Sequence, residues 1–443
     1  MKSDLTSGNI MKTILLFAGP MIAGNLLQQV YNIADTLIVG HFLGEDALAA
    51  VGSTYTLTTF LYSIIIGLCM GSGALVSYYC GGKNPQKQKT SIVAAFILIG
   101  TVSLAAEIIT LGSANGIIEL LKTPSEIMDM TEDYVRIILS GIIFTFLYNY
   151  YAYMLRAFGN SVTPLIFLGV ASVINILLDV IFVMYLDFGI KGAAYATLFA
   201  QAVSGVGLAV HSLIKEPNLR IKFSDIHFQK AEIFETFRMS FAASVQQSVM
   251  NFGILMIQGL VNSFGTTVMA AFTVTVKIDT LAYMPAQEFG NAFSLFVSRN
   301  YGACEYRRIQ ESIRKSFLIS GIFCTVVSVV VVLFSENLMR VFVNAKEFDI
   351  IRTGAQYLVT EGAFYIGIGI LFILYGYYRG INKPEMSLIL TVISLGTRVV
   401  LAYFLSQFEA IGVYGIWISI PIGWLLADTV GLIYMKICNI GYE

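Results

Sequence analysis

Residues 13–42 read TILLFAGPMIAGNLLQQVYNIADTLIVGHF, a stretch that contains one aspartate, Asp35, and no lysine or arginine. A helix needs about 20 largely apolar residues to cross a bilayer, so this stretch predicts a transmembrane helix. It is too long for a signal peptide and lacks an A-x-A-type cleavage site. Similar segments follow along the whole chain, without the alternation of barrel strands. The twelve predicted spans, numbered in chain order, are 13–42, 48–80, 90–113, 130–156, 163–187, 190–214, 236–264, 267–299, 312–335, 352–380, 384–407 and 411–438.

The composition agrees with a membrane protein. Of 443 residues, 56% are hydrophobic and 12% are charged, whereas soluble domains average about 45–50% and about 25%. This excludes a cytosolic enzyme and a disordered scaffold, and a net charge of −1 without a basic stripe excludes a nucleic-acid binder. Five cysteines without metal-ligand spacing are interpreted as small core residues: Cys69, Cys80, Cys304, Cys324 and Cys438.

The distribution of lysine and arginine predicts the orientation. If the N-terminus is inside, the cytoplasmic segments carry 19 of the 27 basic residues, the outer loops carry six, and two lie within spans. This satisfies the positive-inside rule. We therefore expect both termini to be cytoplasmic, with an even number of spans.

An internal repeat appears at an offset of about 220 residues. GEDALAAV (44–51) returns as GTTVMAAF (265–272), and RAFGNSVTP (156–164) returns as YRGINKP (378–384). The offset contains six spans, an even number, so the repeats are expected to be parallel. The sequence thus predicts an N-lobe (1–214), a cytoplasmic linker (215–235) and a C-lobe (236–443).

Polar residues at one depth of the N-lobe predict a cation site. Asp35 and Gln28 share one face of span 1, Asp179 and Asn175 share one face of span 5, and Thr197 lies in span 6. A rise of 1.5 Å per residue places Asp35, Asp179 and Thr197 roughly 10–12 Å from the outer ends of their helices. Charged residues inside spans are functional candidates by default. These carboxylates can hold a proton or join amide and hydroxyl oxygens around Na⁺.

The repeat favours a coupling role that is confined to the N-lobe. At the repeat offset, Asp35 corresponds to about Met256 and Asp179 to about Leu401, and neighbouring positions are apolar too. If the bundle needed the carboxylates for packing, its second copy would need them as well.

The C-lobe carries further charges whose role the sequence leaves open. They are candidates for the substrate cavity or a second cation site: Lys277, Asp279, Glu288, Glu361 and Arg398. Lys277 and Asp279 lie on different faces of span 8 and are expected to have separate partners, and Arg398 could equally pair with a carboxylate and be structural. Pro20 interrupts the hydrogen bonds of span 1 and is expected to act as a hinge. The stretch GLCMGSG (67–73) predicts close helix packing.

No enzyme motif is present: the chain lacks H-E-x-x-H, the phosphate-binding loop and G-x-S-x-G. We therefore expect a protein that is not an enzyme and that takes its energy from an ion gradient.

Four stretches resemble the multidrug and toxic compound extrusion (MATE) family over essentially the whole chain. They are GPMIAGNLLQQVYNIADTLIVGHFLGEDALAAVG (19–52), GSGALVSYYCGGKN (71–84), RAFGNSVTP (156–164) and KIDTLAYMPAQEFGNAFSLFVSRNYGA (277–303). The resemblance implies an all-α polytopic fold, with twelve transmembrane helices in two parallel six-helix repeats that form a V-shaped, two-lobe transporter. It also implies a cation-coupling pattern like that of the bacterial DNA-damage-inducible-type branch, matched here by Pro20, Gln28, Asp35, Asn175, Asp179 and Thr197.

The C-lobe acid pair of another branch is only half present. Span 7 has Gln246, Gln247 and Gln258 but no carboxylate, whereas span 10 has Glu361. This difference points to the N-lobe as the coupling site.

The resemblance implies an antiporter that exports lipophilic, mostly cationic drugs, with Na⁺ or H⁺ as the coupling ion and no other cofactor. We expect a monomer in the inner, plasma membrane of a prokaryote, with amphipathic cations and the bilayer as its partners. The alternative is a flippase for lipid-linked oligosaccharides. That function would need several basic cavity residues to hold pyrophosphate, but only Lys277 and Arg398 lie within spans.

Overall fold

The structure is a computed structural model that describes residues 4–220 and 230–437, apart from 115, 117 and 119–123. Within these residues the regular elements are helices, and no β-strand occurs. Part of the predicted linker, 221–229, lies outside the described residues, as does Cys438.

The helices are numbered in chain order. They are α1 (Ile10–Phe42), α2 (Glu45–Gly81), α3 (Pro85–Gly112), α4 (Met128–Leu139), α5 (Ile142–Ala157), α6 (Val162–Asp179), α7 (Gly189–Lys215), α8 (Lys230–Asn262), α9 (Thr266–Gly302), α10 (Tyr306–Leu333), α11 (Ser335–Phe342), α12 (Phe348–Gly362), α13 (Tyr365–Gly380), α14 (Pro384–Leu405) and α15 (Tyr414–Ile437). A π-helix, Val180–Tyr185, continues α6, and 3₁₀ turns lie at Ser125–Ile127 and Pro217–Leu219.

Each predicted span coincides with one helix or with two consecutive helices. In the described chain, nine helical segments are long and apolar enough to cross a membrane, or ten when α12 and α13 count as one span bent by 52°. The two predicted spans that fall outside this set are α8 and α9. Their charged and amide side chains, Gln246 and Asp279 among them, lower the hydropathy of otherwise apolar helices.

The chain forms two compact units. Unit 1 contains residues 19–244, and unit 2 contains residues 5–18 and 245–437. These boundaries differ from the predicted lobes (1–214 and 236–443) because they fall inside α1 and α8. Pro20 lies two residues beyond Ala18, the last residue of the first boundary, and α1 continues through it as one helix.

Close packing explains why the start of α8 belongs to unit 1. A Cβ added at Gly67 would lie 2.4 Å from the Cα of Ser244, and one added at Gly71 would lie 2.2 Å from the carbonyl oxygen of Met239. The Ser244 hydroxyl also donates to the carbonyl oxygen of Ile64 over 3.0 Å. Small residues let helix backbones approach closely in membranes, so the prediction for residues 67–73 is confirmed.

Hydrogen bonds to the backbone explain why residues 5–18 belong to unit 2. Arg308 donates to the carbonyl oxygens of Ser7 (2.7 Å) and Gly8 (2.8 Å). Asn300 donates to the carbonyl oxygen of Leu5 over 3.0 Å, and the Leu5 side chain is buried. These bonds satisfy backbone carbonyl groups that precede α1.

The cysteines are partly as expected. Cys69 and Cys324 are buried and Cys80 is half-buried. Cys304 is exposed, so its interpretation as a core residue was wrong. It lies in the turn after α9 at a positive φ of 59°, where the chain reverses between two helices.

Candidate cation site

Asp35 and Asp179 meet inside unit 1, which agrees with their similar predicted depths. Asp35 lies on α1 and is half-buried, whereas Asp179 ends α6 and is 0% exposed. Their carboxyl groups are close enough to share a hydrogen bond. Such a bond needs a proton on one of the two groups, because two neighbouring carboxylates repel each other when both are ionised. The pair can therefore hold one proton between its two carboxyl groups.

Asn175 holds Asp179 in place from the preceding turn of α6. Asn175 is fully buried. In the amide orientation that satisfies both of its polar atoms, Nδ2 donates to Asp179 Oδ2 over 3.2 Å, and Oδ1 accepts from the backbone N–H of Thr197 over 3.3 Å. In the opposite orientation, Nδ2 lies 3.4 Å from the Thr197 hydroxyl. In both orientations Asn175 contacts Thr197 of α7, and in the first it also links α7 to the acid pair.

Each carboxylate keeps one oxygen without a protein partner. Asp35 Oδ1 and Asp179 Oδ1 are buried and accept no hydrogen bond from the described residues. Buried polar atoms are nearly always paired, and hard cations prefer oxygen ligands. The two oxygens therefore offer a place for a proton or for Na⁺. No group of three or more His, Cys, Asp or Glu side chains that could hold a metal ion occurs in the described chain.

A π-helix begins directly after Asp179. It covers Val180–Tyr185, so the backbone hydrogen bonds of this span change from the α to the π pattern directly after the acidic residue. Single π-turns inside α-helices are often found at functional sites. The apolar sequence of this segment shows no proline or glycine, so sequence reasoning had no signal for it.

Gln28 is less closely tied to the pair than predicted. Its side chain is exposed and makes no hydrogen bond with the described residues. It lies two turns before Asp35 on α1, or about 10 Å along the axis at 1.5 Å per residue. Its part in cation binding stays a prediction.

In unit 2 the structure brings three of the five candidate charges together. Asp279 on α9 and Glu361 on α12 are hydrogen-bonded to each other, and Arg398 on α14 acts electrostatically on both. All three are buried. Arg398 is thus associated with carboxylates, which was one of the two roles left open for it.

The other two candidates lie elsewhere in unit 2. Lys277 is exposed, which agrees with its predicted position on a different face of α9 from Asp279. Glu288 is buried and accepts a hydrogen bond from Asn291 Nδ2 over 3.1 Å. Neither residue takes part in the Asp279–Glu361–Arg398 cluster.

Two tyrosines complete this cluster, and sequence reasoning missed them. The Tyr365 hydroxyl donates to Asp279 Oδ1, and Tyr357 is hydrogen-bonded to Glu361. Tyr357 and Glu361 are four residues apart on α12, which places them on one face of that helix, and Tyr365 follows at the same spacing as the first residue of α13. That spacing was the available signal.

Comparisons with known proteins cover nearly the whole chain. The family model described as MatE matches residues 20–181 and 242–404. The second match begins 222 residues after the first, so the predicted internal repeat is confirmed.

Similar proteins are named as transporters. The probable multidrug resistance protein YpnP of Bacillus subtilis is 31% identical over 98% of this chain and 96% of its own length. A FAD transporter of Shewanella oneidensis is 22% identical over 96% of this chain and 94% of its own length. A solved structure, described as the outward-facing conformation of a multidrug resistance MATE family transporter of the MOP superfamily, has a TM-score of 0.93 at 24% identity and covers 99% of this chain and 98% of its own. This likeness confirms the predicted all-α fold of twelve helices in two lobes.

Proposed function

Because the chain belongs to the MatE family, and is therefore a multi-pass membrane transporter rather than an enzyme, we propose that it is an antiporter that exports lipophilic cations in exchange for Na⁺ or H⁺. The observation that supports this proposal is the Asp35–Asp179 pair, with one buried, unpartnered oxygen on each side chain. Two buried carboxylates without a positive charge are costly, so the protein holds a proton, Na⁺ or a cationic substrate beside them.

Exchange follows from competition for this charge. A coupling ion and a drug cation both stabilise the ionised pair, and each stabilises the conformation in which it is bound. Binding of the ion from outside then favours release of the drug, and binding of the drug from inside favours release of the ion. This reciprocity is a thermodynamic necessity for two ligands whose binding is coupled.

The two carboxylates have different parts in this exchange. Asp179 is fully buried and held by Asn175, so it supplies a fixed charge. Asp35 is half-buried and has no such amide partner among the described residues, so it is the group that exchanges its cation. Pro20, fifteen residues earlier on α1, is the hinge that would let this helix change shape between states.

The charges within the spans favour a cationic substrate. Acidic residues predominate over basic ones, and a low-dielectric cavity with that balance attracts cations. We assign the protein to the plasma membrane of a prokaryote, as a monomer with both termini in the cytoplasm. This orientation rests on the 19 basic residues in the predicted cytoplasmic segments.

Ethidium efflux from reconstituted vesicles tests the function. We expect efflux under an imposed Na⁺ gradient or an imposed H⁺ gradient, and none without a gradient. A cationic dye and an anionic dye of matched hydrophobicity are then compared. Because one relative is named as a FAD transporter, preferential export of the anion is the competing outcome, and it would overturn the assignment of lipophilic cations. Transport of lipid-linked oligosaccharide without dye efflux would instead support the flippase.

A further inference from the structure

A buried carboxyl group on α15 lies outside both acid clusters. Asp428 is 5% exposed and lies more than two turns from either end of its helix. Its side chain makes no hydrogen bond with the described residues, and its Oδ1 atom is buried without a partner. Ionisable groups inside spans are costly and are functional candidates by default. Neither acid cluster accounts for this one.

The helices around α15 bring no cation to Asp428. α15 packs against α12, α13 and α14. No lysine or arginine is among the groups of the described chain that act electrostatically on Asp428. Arg398 of α14 acts on Asp279 and Glu361 instead, and Glu361 of α12 is not among the groups that act on Asp428 either.

Two tyrosines of α13 face this side of α15. The Tyr378 hydroxyl donates to the carbonyl oxygen of Gly431 over 2.6 Å, and Tyr375 is close enough to Asp428 for an electrostatic interaction. Neither hydroxyl donates to the Asp428 carboxyl group. A carboxylate without a cation or a donor is costly in an apolar interior, so this arrangement calls for a proton on Asp428.

The Asp428 carboxyl group lies beside the first turn of α13. A Cβ added at Gly367, the third residue of that helix, would lie 3.7 Å from Asp428 Oδ2. This turn follows the 52° bend between α12 and α13. The first N–H groups of a helix lack partners within the helix, and the helix dipole favours a negative charge near them. Backbone donors therefore lie near Asp428, although it accepts from none of them in this arrangement.

The corresponding helix of unit 1 already has a carboxylate cap. α5 begins at Ile142 and α13 begins at Tyr365, 223 residues later, which is also the separation between the ends of the two family matches at 181 and 404. Each helix follows a two-residue break in its span. At α5, Glu107 Oε2 of α3 accepts from the backbone N–H of Ile143 over 3.0 Å. At α13 a carboxyl group is present, but the bond is not made.

We infer that Asp428 is a proton site and that its proton controls a cap on α13. With the proton bound, the carboxyl group is neutral and lies beside Gly367 without a hydrogen bond. When the proton leaves to water, the carboxylate accepts from a backbone N–H in the first turn of α13, as Glu107 does at α5. The proton concentration thereby sets how firmly the bent span is tied to α15. This goes beyond the proposed function, because it does not depend on which ion is exchanged at Asp35.

Infrared difference spectroscopy of the purified full chain tests the proton site. A protonated carboxyl group has a carbonyl stretching band that an ionised one lacks. At neutral pH the native protein should show one such band that Asp428→Asn loses. The band should weaken about tenfold for each pH unit above its midpoint, as the protonated fraction does. The matched control is Glu107→Gln, which should remove no such band, because the carboxylate that caps α5 is ionised.

Hydrogen exchange in the first turn of α13 tests the cap. After correction for the intrinsic effect of pH on exchange, the protection of these amides in the native protein should rise about tenfold as the band disappears. A hydrogen bond to a charged group is strong enough for that change. In Asp428→Asn the protection should not change with pH. The first turn of α5 is the internal reference, because its Glu107 cap is already in place.

Two kinds of result would overturn the inference. The proton site is wrong if the native protein and Asp428→Asn have the same carboxylic acid bands, or if the Asp428 band persists up to the pH at which the protein unfolds. The cap is wrong if protection at α13 does not follow the loss of the band. If Asp428→Asn fails to fold, the pH dependence of exchange at α13 against α5 in the native protein stays decisive. Neither measurement uses an ion gradient, so a failure of ion coupling, which ethidium efflux tests, does not affect them.

Discussion

Each unit buries a pair of carboxylates, and the two pairs differ in the source of their positive charge. Beside Asp279 and Glu361 in unit 2, the protein supplies a guanidinium from Arg398 and hydroxyl donors from two tyrosines. In unit 1, no lysine or arginine is among the groups of the described chain that act electrostatically on Asp35 and Asp179. We therefore expect the unit 2 pair, which has its own cation, to be structural, and the unit 1 pair to take its cation from solution.

This difference gives a physical reason for coupling in unit 1. The charge on Arg398 is permanent, since a guanidinium is not deprotonated in proteins. This positive charge repels Na⁺, and it already stabilises the carboxylates, so a coupling ion would add little stabilisation. In the exchange proposed for unit 1, the occupancy of the carboxylates changes with the concentration of ions on either side of the membrane. Substitutions at either pair test this comparison.

The largest expected effect comes from Asp35→Asn. The neutral amide cannot release a proton or supply charge to Na⁺, so ethidium efflux should fall to the level of vesicles without the protein, while expression is unchanged. The matched control is Asp133→Asn, the same change at an exposed carboxylate that pairs with Lys191 over 3.0 Å. Efflux at the native level in Asp35→Asn would show that the pair in unit 1 does not couple transport.

Arg398→Gln should give the next largest effect, on stability. Removing one partner from a buried charge cluster costs about 3–5 kcal/mol, because the remaining carboxylates are left without their cation. Thermal unfolding of the purified protein measures the loss. The double variant Arg398→Gln/Glu361→Gln removes one positive and one negative charge, and it should recover most of the stability. If the double variant is no more stable than the single one, Arg398 does not neutralise this cluster.

Much of the fold was predictable because membrane-spanning helices follow from hydropathy alone. The depth of Asp35 and Asp179 was also predictable, since the rise per residue converts sequence position into distance along the bilayer normal. Their similar depth made a contact possible, although depth alone does not determine which helix faces pack together. By contrast, the unit boundary inside α8 depends on the close contacts that Gly67 and Gly71 make with this helix. Such contacts depend on how segments that are distant in sequence pack together.

The cluster in unit 2 was harder to predict for a geometric reason. Span 10 is bent by 52° between Gly362 and Tyr365, so a single helical wheel does not describe its faces. The grouping of Asp279 with Glu361 also joins α9 to α12, two helices that are separated in sequence. The repeat did not help, because neither residue corresponds to an acid of the first half.

Tyr365→Phe should have a smaller effect, again on stability. It removes the hydroxyl that donates to Asp279, and an unsatisfied buried acceptor costs about 1–3 kcal/mol. Thermal unfolding measures this loss, with Tyr403→Phe as the control, because that side chain is exposed on α14. Ethidium efflux at permissive temperature should remain near the native level. A complete loss of efflux would instead give the unit 2 cluster a direct part in transport.

The smallest expected effect concerns Thr197, and it tests how the unit 1 pair is supported. When the Asn175 amide satisfies both of its atoms, it accepts from the backbone N–H of Thr197 and does not donate to the hydroxyl. Thr197→Val keeps that N–H and should cost at most about 1 kcal/mol in the activation free energy of transport, the typical net worth of a neutral hydrogen bond. Asn175→Ala removes the donor to Asp179 and should cost more, about 1.5–3 kcal/mol for a bond to a charged group.

Because Thr197 reaches the carboxylates through Asn175, the double variant should transport at about the rate of Asn175→Ala alone. A double-mutant cycle on efflux rates measures this coupling. Fully additive losses would mean that the Thr197 hydroxyl contacts the ion directly, and that the site in unit 1 is a ligand shell rather than a supported acid pair.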